Sequence, residues 1–179
     1  IFNGADNSIS SAAQNIVLVN NQYNGAKNTI TAANGDVSLS GSTFGTGATT
    51  NQITASGTFT GAGNTYENKV TISALSANYT GENWTGNADL DATHGITIKD
   101  SFFNNDTTVT VTTANGNIVL DHTGVDNVTS GSKEFEIVSR GTISVINGSS
   151  IGEGVVFKSG GAASPGGNAF VVTDSFLQD

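Results

Sequence analysis

The chain has 179 residues, of which 36% are hydrophobic and only 12% charged, with 23 glycines, one proline and neither cysteine nor methionine. The formal net charge of −9 leaves six basic residues scattered singly, which gives no stripe to neutralise phosphates and argues against a nucleic-acid partner. The lack of cysteine excludes disulfides and thiolate metal sites, and no apolar run reaches the length of a membrane helix, so no transmembrane segment is expected.

In chain order, residues 1–14 read as an N-terminal extension or cap; they lack the charged start and apolar stretch of a signal peptide. From Asn15 a pattern repeats. Each copy opens on a small polar residue and alternates in polarity over four or five positions, first as Asn15-Ile-Val-Leu-Val, then as Gly35-Asp-Val-Ser-Leu and Gly57-Thr-Phe-Thr. Further copies start at Ala77, Gly95, Gly116 and Gly141, and a last one near Ala169. The spacing is about 20 residues, drawn out in the later copies by insertions at Asp126 to Ser132 and at 160–167. The second half of each unit adds another alternating run, among them Asn28-Thr-Ile-Thr-Ala, Lys69-Val-Thr-Ile-Ser, Ala88-Asp-Leu-Asp-Ala and Lys133-Glu-Phe-Glu-Ile. Period-2 alternation means strands with one buried face, and the Gly, Asn and Ser between them suit tight turns.

One such unit cannot bury its own apolar face, whereas about eight stacked units can. The expected fold is therefore all-β, a β-solenoid of about eight stacked coils of roughly 20 residues, forming one unit over 1–179 and a rod on the order of 40 Å long. One interior column is expected from Val17, Val37, Phe59, Ile118 and Ile143, with Val19, Leu39, Leu120 and Val145 beside it. Ile30, Ile53, Ile72, Leu90, Val109 and Phe135 line a second wall, and Tyr23, Phe44, Tyr66, Phe103, Val125 and Ile151 a third. Matching Asn residues at turns are expected to stack as side-chain ladders. The alternative is a β-sandwich of hairpins, because runs such as Val109 to Leu120 and Phe135 to Val145 also flank short polar turns.

The stretch Gly141-Thr-Ile-Ser-Val-Ile-Asn-Gly-Ser-Ser-Ile-Gly-Glu-Gly-Val-Val-Phe-Lys-Ser-Gly resembles one unit of the filamentous haemagglutinin-type repeat, and Gly35-Asp-Val-Ser-Leu-Ser-Gly-Ser-Thr-Phe resembles the start of another. As a loose template the likeness runs from Asn15 to Leu177. The resemblance implies a right-handed parallel β-helix in a large exoprotein of Gram-negative bacteria, exported by two-partner secretion or as an autotransporter passenger through an outer-membrane transporter and used to attach to surfaces or host cells. The Asn-Pro-Asn motifs typical of the secretion domain in two-partner exoproteins are missing, since Pro165 is the sole proline. With methionine also absent, the chain reads as an internal or distal fragment of a larger exoprotein.

For catalysis, Asp89-Leu-Asp91 and Glu134-Phe-Glu136 each set two acids on one strand face. The Gly-His-Gly and Arg-x-Lys of β-helix pectin hydrolases have no counterpart around His94, His122 or Arg140, and the two acid pairs belong to different coils. No catalytic residue, metal or cofactor is assigned, and the protein is not expected to be an enzyme. Tyr79, Trp84 and the Phe102-Phe103 pair are candidate exposed aromatics, Trp84 foremost because its flanks are polar. Asp126 and Asn127 in one insertion and Pro165 in the other are candidate partner contacts. Asn-x-Ser/Thr sequons stand at Asn78, Asn83, Asn105, Asn127 and Asn147, candidate glycosylation sites whose number is what so Asn-rich a chain produces by chance.

Together these features suggest a structural and adhesive segment of a secreted or surface-anchored adhesin, extracellular or on the bacterial cell surface, meeting a host-cell or surface receptor that is protein or glycan. The alternatives are a filament or pilin-like subunit and, behind it, a carbohydrate-active enzyme on the same scaffold.

Overall fold

The computed structural model describes residues 1–47, 49–104, 107–126, 134–160 and 170–178. Each coil contributes a strand of about five residues, a second of about four and a third of two, and like strands stack into three eight-stranded sheets. Among the described residues every strand pairing is parallel and joins one coil to the next, as where Val70–Ala74 lies between 51–54 and Ala88–Ala92. The result is a β-solenoid of about 21 residues per turn. The hairpin alternative fails on register: Val109–Thr113 pairs with Ala88–Ala92 and Phe135–Ser139, not with Ile118–Asp121. Residues 1–14 contribute to the stack directly, since Asp6–Ser11 pairs with Lys27–Ala32 and Phe2 bridges to Tyr23.

Alternation within each strand sends one set of side chains inward, and the files that result form the core. In the third sheet Phe2, Tyr23, Phe44, Tyr66, Trp84 and Phe103 stack in succession, with centroids 4.2–5.8 Å apart and planes within 13° of parallel. Val125 and Ile151 extend the file. The strand spacing of about 4.8 Å is close to the distance at which offset rings attract, so sheet and stack reinforce each other.

Two expected columns need correction. Ile16, not Val17, pairs with Val37, and Leu18 with Leu39; Val17 and Val19 face outward, 68% and 55% exposed. Four consecutive apolar residues carry no alternation, so the register is set at the corner before them, where the Asn15 side-chain oxygen accepts the Asp36 N–H at 2.9 Å and Asp36 in turn accepts that of Thr58 at 2.7 Å. In the first sheet Ile30, Ile53, Ile72 and Leu90 continue through Val111 and Ile137. Val109 and Phe135 belong to the file two residues earlier, which begins as Asn7, Asn28 and Asn51 and turns apolar at Val70 and Ala88.

Those three asparagines form a ladder: Asn7 donates to Asn28 at 2.7 Å and Asn28 to Asn51 at 2.8 Å, and Asn51 closes it on the Lys69 carbonyl at 3.0 Å. A primary amide both donates and accepts, so one residue type can repeat along the axis with its bonds satisfied.

The corner after each second-sheet strand has a conformational requirement of its own. Asn20, Gly41, Gly63, Gly81, Asp100, His122, Asn147 and Asp174 all have φ between 49° and 65°. Glycine, asparagine and aspartate are the residues that enter this left-handed region at least cost, and the same turn thus recurs coil after coil.

Candidate functional site

Because the inward positions are filled, the outward faces carry whatever chemistry the solenoid presents. On the first sheet two outward files run parallel to the axis. One passes through Thr29, Gln52, Thr71, Asp89, Thr110 and Glu136. The other passes through Thr31, Thr54, Ser73, Asp91 and Thr112. The surface is hydroxyl-rich, with Asp89 and Asp91 near its middle and Glu136 toward one end.

Asp91 is the most distinctive member. It sits in a shallow groove of about 270 Å³ lined by Ser73, Ala74, Ala92, Thr93, Thr112 and Ala114. Partial burial in this groove raises its carboxyl above the ordinary value, and the nearby charge of Asp89 adds to the effect. Ser73 and Thr112 lie directly below and above it in register, so an acid flanked by two hydroxyl residues faces a small concavity. The second acid pair is organised differently. Glu136 forms an ion pair with Lys158 of the next coil, Glu134 is exposed, and the Thr110 coil separates this pair from Asp89.

The histidines occupy different corners. His94 is exposed in the turn between the first- and second-sheet strands, whereas His122 lies at a left-handed corner with Nδ1 2.8 Å from Asp100 Oδ1. Among the described residues no three His, Asp or Glu side chains converge in a way that would hold a metal ion. No described helix is long and apolar enough to cross a membrane.

The candidate aromatic contacts are corrected by burial. Trp84 and Tyr79 are both 0% exposed. Trp84 stacks between Tyr66 and Phe103, and Tyr79 meets it in a T-shaped contact with centroids 5.6 Å apart. The polar flanks that point to exposure have separate explanations: Asn83 and Thr85 point outward on a two-residue strand and its exit, while Glu82 is itself buried. Phe102 is the residue of its pair that faces solvent, 41% exposed. Its ring lies over Gly124, where an added Cβ would come within 2.7 Å of it.

The sequons divide by position. Asn78 is exposed on the second sheet between Thr60 and Thr97, and Asn83 is exposed on the third beside Phe102. Asn147 occupies a left-handed corner and donates to Asp121 Oδ1 at 2.8 Å. Asp126 is half-buried at the exit of the strand Gly124–Val125, its N–H donating to the Phe103 carbonyl at 3.1 Å. Asn105, Asn127 and Pro165 lie outside the described residues, as does most of each insertion.

These features define the class as a three-sheet parallel β-solenoid with polar outer walls. No family model, curated protein or solved structure matches the chain.

Proposed function

We propose that the chain is a structural and adhesive segment of an exported bacterial surface protein, a stiff rod that holds outward-facing strands and inserted loops away from the cell. The observation that carries this reading is the continuity of the stack: three sheets keep one register through eight strands each, and the inward files are occupied by packing side chains. A solenoid of this kind transmits load along its axis and offers long flat faces to a partner. The resemblance of Gly141 to Gly160 and Gly35 to Phe44 to filamentous haemagglutinin-type repeats supports an extracellular setting and passage through an outer-membrane transporter. The receptor on this reading is a host-cell or surface protein or glycan.

The experiment is attachment of beads coated with the purified chain to epithelial cell layers and to arrayed glycans. Retention above a coat of unrelated acidic protein is expected, and retention equal to that control contradicts the adhesive role.

The Asp91 groove favours one competing reading, a carbohydrate-active enzyme on the same scaffold, because a carboxyl of raised pKa beside a second carboxylate is a general-acid arrangement. Polysaccharide turnover that disappears in Asp91→Asn, with the fold intact by circular dichroism, would establish the enzyme. Attachment unchanged in Asp89→Asn and Asp91→Asn, with no turnover in either parent or variants, is the outcome the scaffold reading predicts.

A further inference from the structure

A buried acid lies in the middle of the rod. Glu82 follows the left-handed corner at Gly81 and turns inward, 1% exposed. It belongs to a file of inward polar residues, Ser42, Asn64, Glu82, Ser101, Thr123 and Ser149, each buried one position before the third-sheet strand of its coil. The other members form short hydrogen bonds to their neighbours: Asn64 Oδ1 accepts the Ser42 N–H at 2.8 Å, and Ser149 Oγ accepts that of Thr123 at 3.0 Å.

Glu82 satisfies part of this pattern. Its N–H donates to Ser101 Oγ at 3.1 Å, and its Oε1 accepts from Asn64 Nδ2 at 3.0 Å. Its Oε2 is buried without a hydrogen-bond partner, as are the hydroxyls of Tyr66 and Tyr79 and the indole N–H of Trp84.

Room for the carboxyl comes from the neighbouring coil. Gly61 occupies a file whose other members include Leu39, Tyr79, Ile98 and Leu120. A Cβ on Gly61 would lie 2.7 Å from Glu82 Oε1 and 3.1 Å from its Cδ. The carboxyl therefore fills space that a side chain of the apolar file would otherwise take, and Gly61 and Glu82 form a matched pair.

We propose that Glu82 is a protonation switch set into the interior: as a neutral acid it locks its coil to the Gly61 and Ser101 coils, and on ionising it loosens the stack between them. In the neutral form Oε2 gains a proton to donate, which suits the unpartnered phenol oxygens beside it. In the ionised form a charge faces apolar walls, and the interior must open to water to solvate it. The titratable groups facing it are Tyr66 and Tyr79, both pushed up by burial and then by the Glu82 charge. Asp91 acts on Tyr79 from the first sheet, and Lys99 and Asp100, at the corner of the next coil, have side chains 50% and 46% exposed. Burial pushes the Glu82 carboxyl itself up to about 8, against partial compensation by its bond from Asn64.

The folded chain holds this proton more tightly than the unfolded chain, whose glutamate titrates near 4.5. The contribution to stability is thus fully present below pH 4.5 and is lost as pH rises to about 8.

Thermal unfolding of the whole chain and of its isosteric variant Glu82→Gln, followed by circular dichroism from pH 5 to pH 9, tests the switch. The parent is expected to lose on the order of 5 °C or more in Tm relative to Glu82→Gln across that range, with the variant the more stable at pH 9. Infrared spectra at pH 6.5 should contain a protonated-carboxyl band that Glu82→Gln lacks. Parallel pH profiles for the two proteins, or no such band in the parent, would overturn the proposal.

Discussion

Two internal files run side by side along the axis, two residues apart from the Ser42 coil to the Ser149 coil, and they hold the rod by opposite means. Tyr23, Phe44, Tyr66, Trp84 and Phe103 meet face to face, by contacts that depend on shape and are tolerant of ring identity. Ser42, Asn64, Glu82 and Ser101 meet through directed hydrogen bonds, as do Thr123 and Ser149, where each donor needs an acceptor one coil away. The apolar file supplies stabilisation through burial, about 1.5–3 kcal/mol for each large side chain. The polar file contributes less net energy but penalises slippage of the register, since a shifted coil leaves buried groups unpaired.

The largest loss is expected at the middle of the aromatic file. Trp84→Ala removes a fully buried ring between two others, and denaturant unfolding followed by circular dichroism should show a loss of about 3–5 kcal/mol. A smaller effect is expected from the hydrogen-bonded side. Asn28→Ala cuts the first-sheet ladder, removing the shortest bond of Asn7 Nδ2 and stranding Asn51 Oδ1, for a loss of about 1–3 kcal/mol. The joint replacement of Asn28 and Asn51 by valine should cost less than the sum of the single changes, because it extends the apolar file that already runs through Val70 and Val109. Non-additivity in the opposite sense would contradict the ladder. Smaller again is Gly81→Ala at a left-handed corner, where the nearest atoms to an added Cβ lie 3.8 Å away. The cost there is conformational, about 1–2 kcal/mol, and Gly81→Asn should recover part of it because Asn20 and Asn147 occupy equivalent corners. Thr110→Ser on the outer face should change stability by no more than about 0.5 kcal/mol by the same measurement.

The third-sheet file is legible in the amino-acid sequence because Tyr23, Phe44, Tyr66 and Phe103 stand out from polar surroundings at a steady interval. Trp84 escapes from it because Glu82, Asn83 and Thr85 imitate a solvent-exposed context, although Glu82 is buried and the other two only alternate with the ring. The slip at Val17 and Val19 arises where Ile16 to Val19 offers no polar residue to mark a face. Val109 and Phe135 are displaced by two because their file starts as asparagine and gives no apolar signal to align on. For the outer surface, alternation alone places Asp89 and Asp91 on one strand face, but the groove around Asp91 is made by residues of three coils and has no linear signature. Glu82 can be read as an interior group only by noticing that Gly61 leaves a gap in an otherwise large-residue file.

Equivalent residues of successive coils lie directly above one another. Pulsed electron resonance between spin labels on the outward first-sheet file tests it most directly, with one label at Ser8 and the second at Asp89, Thr110 or Glu136 in turn. Four, five and six coil steps of about 4.8 Å predict distances that rise evenly, about 19, 24 and 29 Å between backbone positions. Distances that fail to increase in that order, or that place Glu136 nearer to Ser8 than Asp89 is, would contradict the stacked solenoid.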